Sequence, residues 1–192
     1  LLLHMMPADH MSWRTFAEKT QQAGWHVLAI DLRGHGESQG GPNGYKSFSD
    51  AEHQASRLDV EAGVEFLKEA LRQGSGESGL YLGGASIGAN LALGYLAEHA
   101  EAKASFLLSP GLDYRGVKTQ EGARNLKSGQ SVYYVASRDD TYSADTIQTL
   151  YDATPAGVEK DIKFFETAGH GTTIFEREPQ FMDEVAVWLQ NL

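Results

Sequence analysis

The feature that most restricts the fold of this chain is the join between two runs of different character. "SGLYLGGA" (78–85) is apolar and strand-like, and it passes directly into "SIGANLALGYLAEHAE" (86–101), which is rich in Ala and Leu and ends in charged residues. The spacing of apolar residues reads as a buried strand followed at once by a helix, with the change falling at Ser86.

The same alternation runs along the rest of the chain. "LLLH" (1–4) reads as a short strand, "SWRTFAEKTQQAG" (12–24) as a helix stopped by Gly24, and "WHVLAIDL" (25–32) as the next strand. A Gly-rich loop (34–47) leads into one long helix over 48–74, with Leu58, Ala62, Phe66 and Leu67 at helical spacing. Beyond the central unit, "KASFLLSP" (103–110), "QSVYYVAS" (130–137) and "KDIKFFET" (160–167) read as strands, and "SADTIQTLYDAT" (143–154) and "PQFMDEVAVWLQNL" (179–192) as helices. The stretch 111–130 reads as irregular and "AGHGTTIF" (168–175) as a loop. The pattern predicts an α/β fold, a mostly parallel sheet with helices on both faces, whose reactive groups lie in loops beyond the carboxyl ends of the strands.

With 192 residues, 41% of them hydrophobic, the expectation is one domain over 1–192. The 111–130 insert is too short for a cap domain of ordinary size, so any lid is small. Acidic residues outnumber Lys and Arg by 26 to 16 and no basic stripe occurs, which argues against a nucleic-acid partner. The absence of cysteine excludes disulfides, a thiol nucleophile and thiolate metal sites. The opening "LLLHMMPADH" is too short for a signal-peptide core or a membrane span, and it reads as an internal start, which leaves room for early strands or a targeting segment before it.

The chemistry gathers around Ser86. Gly84-Ala85-Ser86-Ile87-Gly88 fits G-x-S-x-G, in which glycines two residues either side of the serine make room for a sharp, strained strand-to-helix turn. The helix that starts there aims free N–H groups and its positive dipole end at a developing oxyanion, with the Ile87 N–H as the expected donor. A serine hydroxyl needs a base, and His170, flanked by Gly169 and Gly171 after the last strand, is the one histidine well downstream. The acid should follow the strand "SVYYVAS", where Asp139 and Asp140 are adjacent and only one can point inward. Asp140 is the expected acid, and its neighbour is expected to be solvated or to cap the next helix. A second oxyanion donor is expected in the loop after the first strand, from the Met6 N–H with Met5 as fallback, since Pro7 has no N–H. His4 is assigned no catalytic role.

"DLRGHGES" (31–38) lacks both phosphate-loop patterns and reads as a structural turn, and His35 and His53 lack metal-ligand spacing. No cofactor and no metal are expected.

Four motifs together resemble the α/β-hydrolase superfamily: "LLLHMMPADHMSW", "AIDLRGHGES", "GGASIGA", and "ASRDD" with "AGHG", in the family's order over residues 1 to about 171. The resemblance implies a nucleophile at Ser86, an acid at Asp140, a base at His170, and oxyanion donors at Met6 and Ile87. It also implies antiparallel strands before residue 1, so the N-terminal strands of the fold are expected to be missing here. The implied activity is a serine esterase without a large cap, acting on small-molecule carboxylic esters at an open site. Two alternatives stay open, a peptidase or amidase with the same machinery and a non-catalytic binding protein of the same fold. Oligomeric state is not legible.

Overall fold

The computed structural model describes residues 1–72 and 79–192. Ser78, the first residue of the expected central strand, and residues 73–74 at the end of the expected long helix lie outside the described residues.

Among the described residues six strands form one sheet. They are β1 (Leu2–Leu3), β2 (Ala29–Ile30), β3 (Leu80–Ala85), β4 (Ala102–Leu108), β7 (Ser131–Ser137) and β8 (Glu159–Phe165), arranged in the order β2-β1-β3-β4-β7-β8. Every neighbouring pair is parallel. Helices cover both faces, as a parallel sheet requires because its strands are apolar on both sides. The helices are α1 (Arg14–Gln22), α2 (Asp50–Gln54), α3 (Arg57–Leu71), α4 (Ile87–Glu98), α5 (Gln120–Asn125), α6 (Thr141–Ala153), α7 (Thr173–Arg177) and α8 (Phe181–Gln190).

Alternation along the strands divides the core in two. Leu1, Leu3, Leu82, Leu107, Val132 and Tyr134 point to the face covered by α3, α4 and α6, where they meet Val60, Leu93, Leu96 and Ile147. Leu2, Phe106, Leu108 and Val135 point to the other face, against Phe16 of α1, Phe175 of α7 and Phe181 and Val185 of α8. The helix α4 is buried along almost its whole length, which its Ala and Gly content permits by letting the backbone approach the sheet closely.

Where the structure departs from the sequence reading, the reasons are local. The strand expected over 25–32 pairs only at Ala29–Ile30, because among the described residues β1 is its single neighbour. The helix expected over 12–24 begins with a tighter turn, His10–Trp13, capped by the Asp9 carboxylate on the Met11 N–H. The long helix expected over 48–74 is two helices. Ser49 and Glu52 form a capping box that starts α2, and the chain turns at Ala55–Ser56 before α3. The stretch expected to be irregular, 111–130, contains an antiparallel ribbon of β5 (Asp113–Tyr114) and β6 (Val117–Lys118) and then α5. The loop expected over 168–175 turns into α7 at Thr173.

Candidate active site

The carboxyl ends of β1, β3, β4, β7 and β8 meet on one edge of the sheet, and the residues singled out in the sequence lie there. Ser86 joins β3 to α4 with φ 55° and ψ −122°, a backbone conformation that side chains rarely adopt. Its N–H donates to Leu108 O (2.8 Å) and its C=O accepts from Ala89 and Asn90, so the turn is held from both sides. The glycines around it have no room for a side chain. A Cβ on Gly84 would press into the backbone of Gly88 and Ala89. One on Gly88 would lie 2.6 Å from His4 O and closer still to Leu3 O. The start of α4 therefore rests directly on the end of β1, beside the loop that carries Met5 and Met6. As the first residue of α4, Ile87 has no intrahelical acceptor for its N–H.

His170 and Asp140 are brought together: Nδ1 of the imidazole lies 2.6 Å from Oδ2 of the carboxylate. Burial pushes the Asp140 carboxyl up, but hydrogen bonds from His170 and Ser143 outweigh it and hold the group below its ordinary value. Asp139 points elsewhere. It is exposed, as one of the two expected alternatives had it, and does not cap the next helix; its Oδ1 accepts from the Gly169 N–H (3.1 Å), and Arg177 lies 3.5 Å from its other oxygen.

The histidine loop is fixed by side chains at the ends of neighbouring strands, which sequence reasoning missed. Ala168 N–H donates to Ser137 Oγ (2.7 Å) and Gly171 N–H to Ser109 Oγ (2.9 Å). Gly169 and Gly171 both have positive φ, 77° and 59°, and a Cβ on Gly171 would run into Met5 Sδ. Immediately downstream, Phe175 stacks on Phe16 with ring centroids 5.0 Å apart, which ties the loop to the lower core. The sequence signal for these serines is their position at the end of an apolar strand run.

His4 shapes the loop between β1 and α1. Its Nδ1 bonds Met5 O (2.9 Å) and its Nε2 accepts from the Leu32 N–H (3.0 Å), which fixes the ring as the Nδ1–H tautomer. Burial lowers its pKa to about 4. Next to it, the "DLRGHGES" turn is held internally. Asp31 accepts from the N–H groups of His10 (2.7 Å) and Glu37 (2.8 Å), and the Arg33 guanidinium makes a two-pronged pair with Asp59. Asp9, His10 and Asp31 bring one possible ligand atom each to within 4.8 Å of one another, but the Asp31 carboxylate is already occupied by these hydrogen bonds and by the His10 ring. Among the described residues no helix is long and apolar enough to cross a membrane.

One further side chain faces the site. Tyr114, from the β5–β6 ribbon, stands with its ring perpendicular to that of His170, centroids 6.2 Å apart. Its hydroxyl is 3.2 Å from Ser143 Oγ and 3.5 Å from Ser109 O. Asn90 of α4 anchors the ribbon, donating to Val117 O (2.7 Å) and accepting from the Gly111 N–H (3.0 Å).

An all-parallel sheet carrying its functional loops on one edge, with a strained serine between strand and helix, defines the class of architecture. A family model described as the alpha/beta hydrolase fold matches residues 1–149, and the chain belongs to that family. No curated protein matches it in sequence. Similar solved structures include the Pyrococcus furiosus esterase Pf2001, at 18% identity and TM-score 0.77, covering 99% of this chain and 81% of that one. Dienelactone hydrolase from Anabaena variabilis matches at 19% identity and TM-score 0.74, covering 99% and 82%. Est816, described as an N-acyl homoserine lactone degrading enzyme, matches at 17% identity and TM-score 0.68, covering 96% and 90%. At these identities the likeness is one of fold.

Proposed function

We propose that this chain is a serine hydrolase that cleaves carboxylic esters through an acyl-enzyme on Ser86. The observation that carries the proposal is the Asp140–His170 pair, 2.6 Å apart, held at the same sheet edge as a serine with φ 55°. On this proposal His170 Nε2 takes the Ser86 proton as Oγ attacks the ester carbonyl. Asp140 stays anionic, fixes the Nδ1–H tautomer and stabilises the imidazolium. The Met6 and Ile87 N–H groups receive the oxyanion, and the imidazolium proton passes to the departing alcohol. Water then repeats the sequence on the acyl-enzyme. The chemistry needs no cofactor. Similar structures described as an esterase, a dienelactone hydrolase and a lactone-degrading enzyme support small ester or lactone substrates over polymers.

Residues 1–192 then form one hydrolase domain, with 111–130 standing where other members of the fold would place a cap. The test is hydrolysis of short-chain p-nitrophenyl esters by the wild type, Ser86→Ala and His170→Ala. Turnover that falls by at least about 10³-fold in both variants is expected from the loss of a triad member. Turnover that survives Ser86→Ala at the wild-type rate would overturn the proposal.

A further inference from the structure

The β5–β6 ribbon brings a phenol to the site from a direction that neither the triad nor the oxyanion donors account for. In the sheet, β3 with Ser86 has β1 on one side and β4 on the other. The loop after β1, with Met6, supplies the oxyanion side. Tyr114 arrives from the opposite side, after β4, against His170 and Ser143, which follow β8 and β7; the loop after β7 also carries Asp140. An ester carbon bound to Ser86 Oγ holds its carbonyl oxygen toward Met6 and Ile87, so the alkoxy oxygen must face the imidazole that protonates it. Tyr114 stands on that side, its ring perpendicular to that of His170 with centroids 6.2 Å apart and its hydroxyl 3.2 Å from Ser143 Oγ, near the start of the helix that follows Asp140.

Resting on the acyl-enzyme reading above, we propose that the Tyr114 hydroxyl donates a hydrogen bond to the departing alkoxy oxygen. As the tetrahedral intermediate collapses, the bond from carbon to the alkoxy oxygen breaks and its electron pair stays on that oxygen. The imidazolium of His170 delivers the proton, while Tyr114 keeps its own and shares it as a hydrogen bond.

The rest of the environment suits that role. Among the described residues the hydroxyl's hydrogen-bond partners are Ser143 Oγ at 3.2 Å and Ser109 O at 3.5 Å, long or exchangeable contacts, so turning to a substrate oxygen sacrifices little. Burial pushes the phenol above its ordinary value, and the nearby Asp140 charge adds to this, so it stays a protonated donor at neutral pH. The ring is also held. Tyr142 packs against it at 5.7 Å, and the Tyr142 hydroxyl pins Asp113 by accepting from its N–H (3.0 Å).

The test compares wild type with Tyr114→Phe, which keeps the ring and removes only the hydroxyl, on two esters of one acid: ethyl butyrate and p-nitrophenyl butyrate. The quantity read is kcat/KM, which reports acylation. An alkoxide leaving group needs the hydrogen bond and a nitrophenolate hardly does. The variant is therefore expected to lose about ten- to a hundredfold on the ethyl ester, the worth of a hydrogen bond to a charge-bearing oxygen, and less than about threefold on the nitrophenyl ester. Equal losses on both esters would overturn the proposal, because a residue that only shapes the pocket or positions His170 does not distinguish leaving groups. Unchanged rates on both would overturn it too. A folded wild type that hydrolyses neither ester would overturn the acyl-enzyme reading itself, and this proposal with it.

Discussion

The contact between α4 and β1 makes a stringent prediction, because one substitution made twice in a single helix should have opposite signs. Gly88 and Gly94 both lie in α4. A Cβ on Gly94 meets nothing within 4 Å, so Gly94→Ala should gain the ordinary helical preference for alanine, about 0.5–1 kcal/mol. A Cβ on Gly88 would sit 2.6 Å from His4 O, whereas ordinary contact begins at 3.4 Å, so helix and strand must part by about 0.8 Å there and by more at Leu3 O. Both obstacles are backbone oxygens, which no rotamer change can move. Overpacking of this kind costs about 1–3 kcal/mol, and the rigid obstacle places Gly88→Ala toward the upper end. The two variants should then differ by about 3 kcal/mol, or roughly 6–12 °C in Tm for a chain of this size. Urea unfolding followed by circular dichroism, paired with calorimetry, measures both. The same displacement moves the Met5–Met6 loop away from Ser86, so Gly88→Ala should also lose about 10²-fold in ester turnover while Gly94→Ala keeps it. A Gly88→Ala protein as stable as the wild type would refute the packing argument.

Two further expectations concern the site. Asp140→Asn should lower kcat by about 10³–10⁴-fold, because an amide stabilises the wrong imidazole tautomer. Asp139→Asn, whose partners are Gly169 N–H and Arg177, should change it by only a few-fold, and steady-state kinetics on one ester distinguishes the two. His4 ties the fold to pH. With its pKa near 4 in the folded chain against about 6.5 when unfolded, the unfolded state binds the proton first, so stability is complete above about pH 6.5 and declines toward pH 4. The loss should approach about 3 kcal/mol, and His4→Gln, which keeps an acceptor for Leu32 N–H, should remove that part of the pH dependence in urea titrations at pH 7.5 and 4.5.

The order of strands and helices was legible because apolar runs of strand and helix spacing alternate along most of the chain. "YLGGASIGAN" marks the position of the serine through glycine spacing alone, and the structure gives the steric reason: the Gly84 and Gly88 backbones lie against each other and against β1. Other features depend on contacts between residues far apart in the chain, which no local pattern encodes. Alternation along β7 says that Asp139 and Asp140 diverge, but which one meets His170 depends on the path of a loop thirty residues later. Ser109 and Ser137 look like ordinary strand ends until Gly171 and Ala168 are placed beside them. Tyr114 lies in a two-residue strand, too short for any periodicity, and reaches the site only because Asn90 holds its ribbon against α4. The break between α2 and α3 is not legible because no Gly or Pro marks the turn at Ala55 and Ser56.

The central claim is that Ser86 is a nucleophile activated by His170. The most direct measurement is labelling with a fluorophosphonate probe, with the modified residue mapped by mass spectrometry in the wild type, Ser86→Ala and His170→Ala. The expected result is a single adduct on Ser86, absent in Ser86→Ala and strongly reduced in His170→Ala. A folded wild-type protein that carries no adduct, or one whose Ser86 reacts equally well without His170, would contradict it.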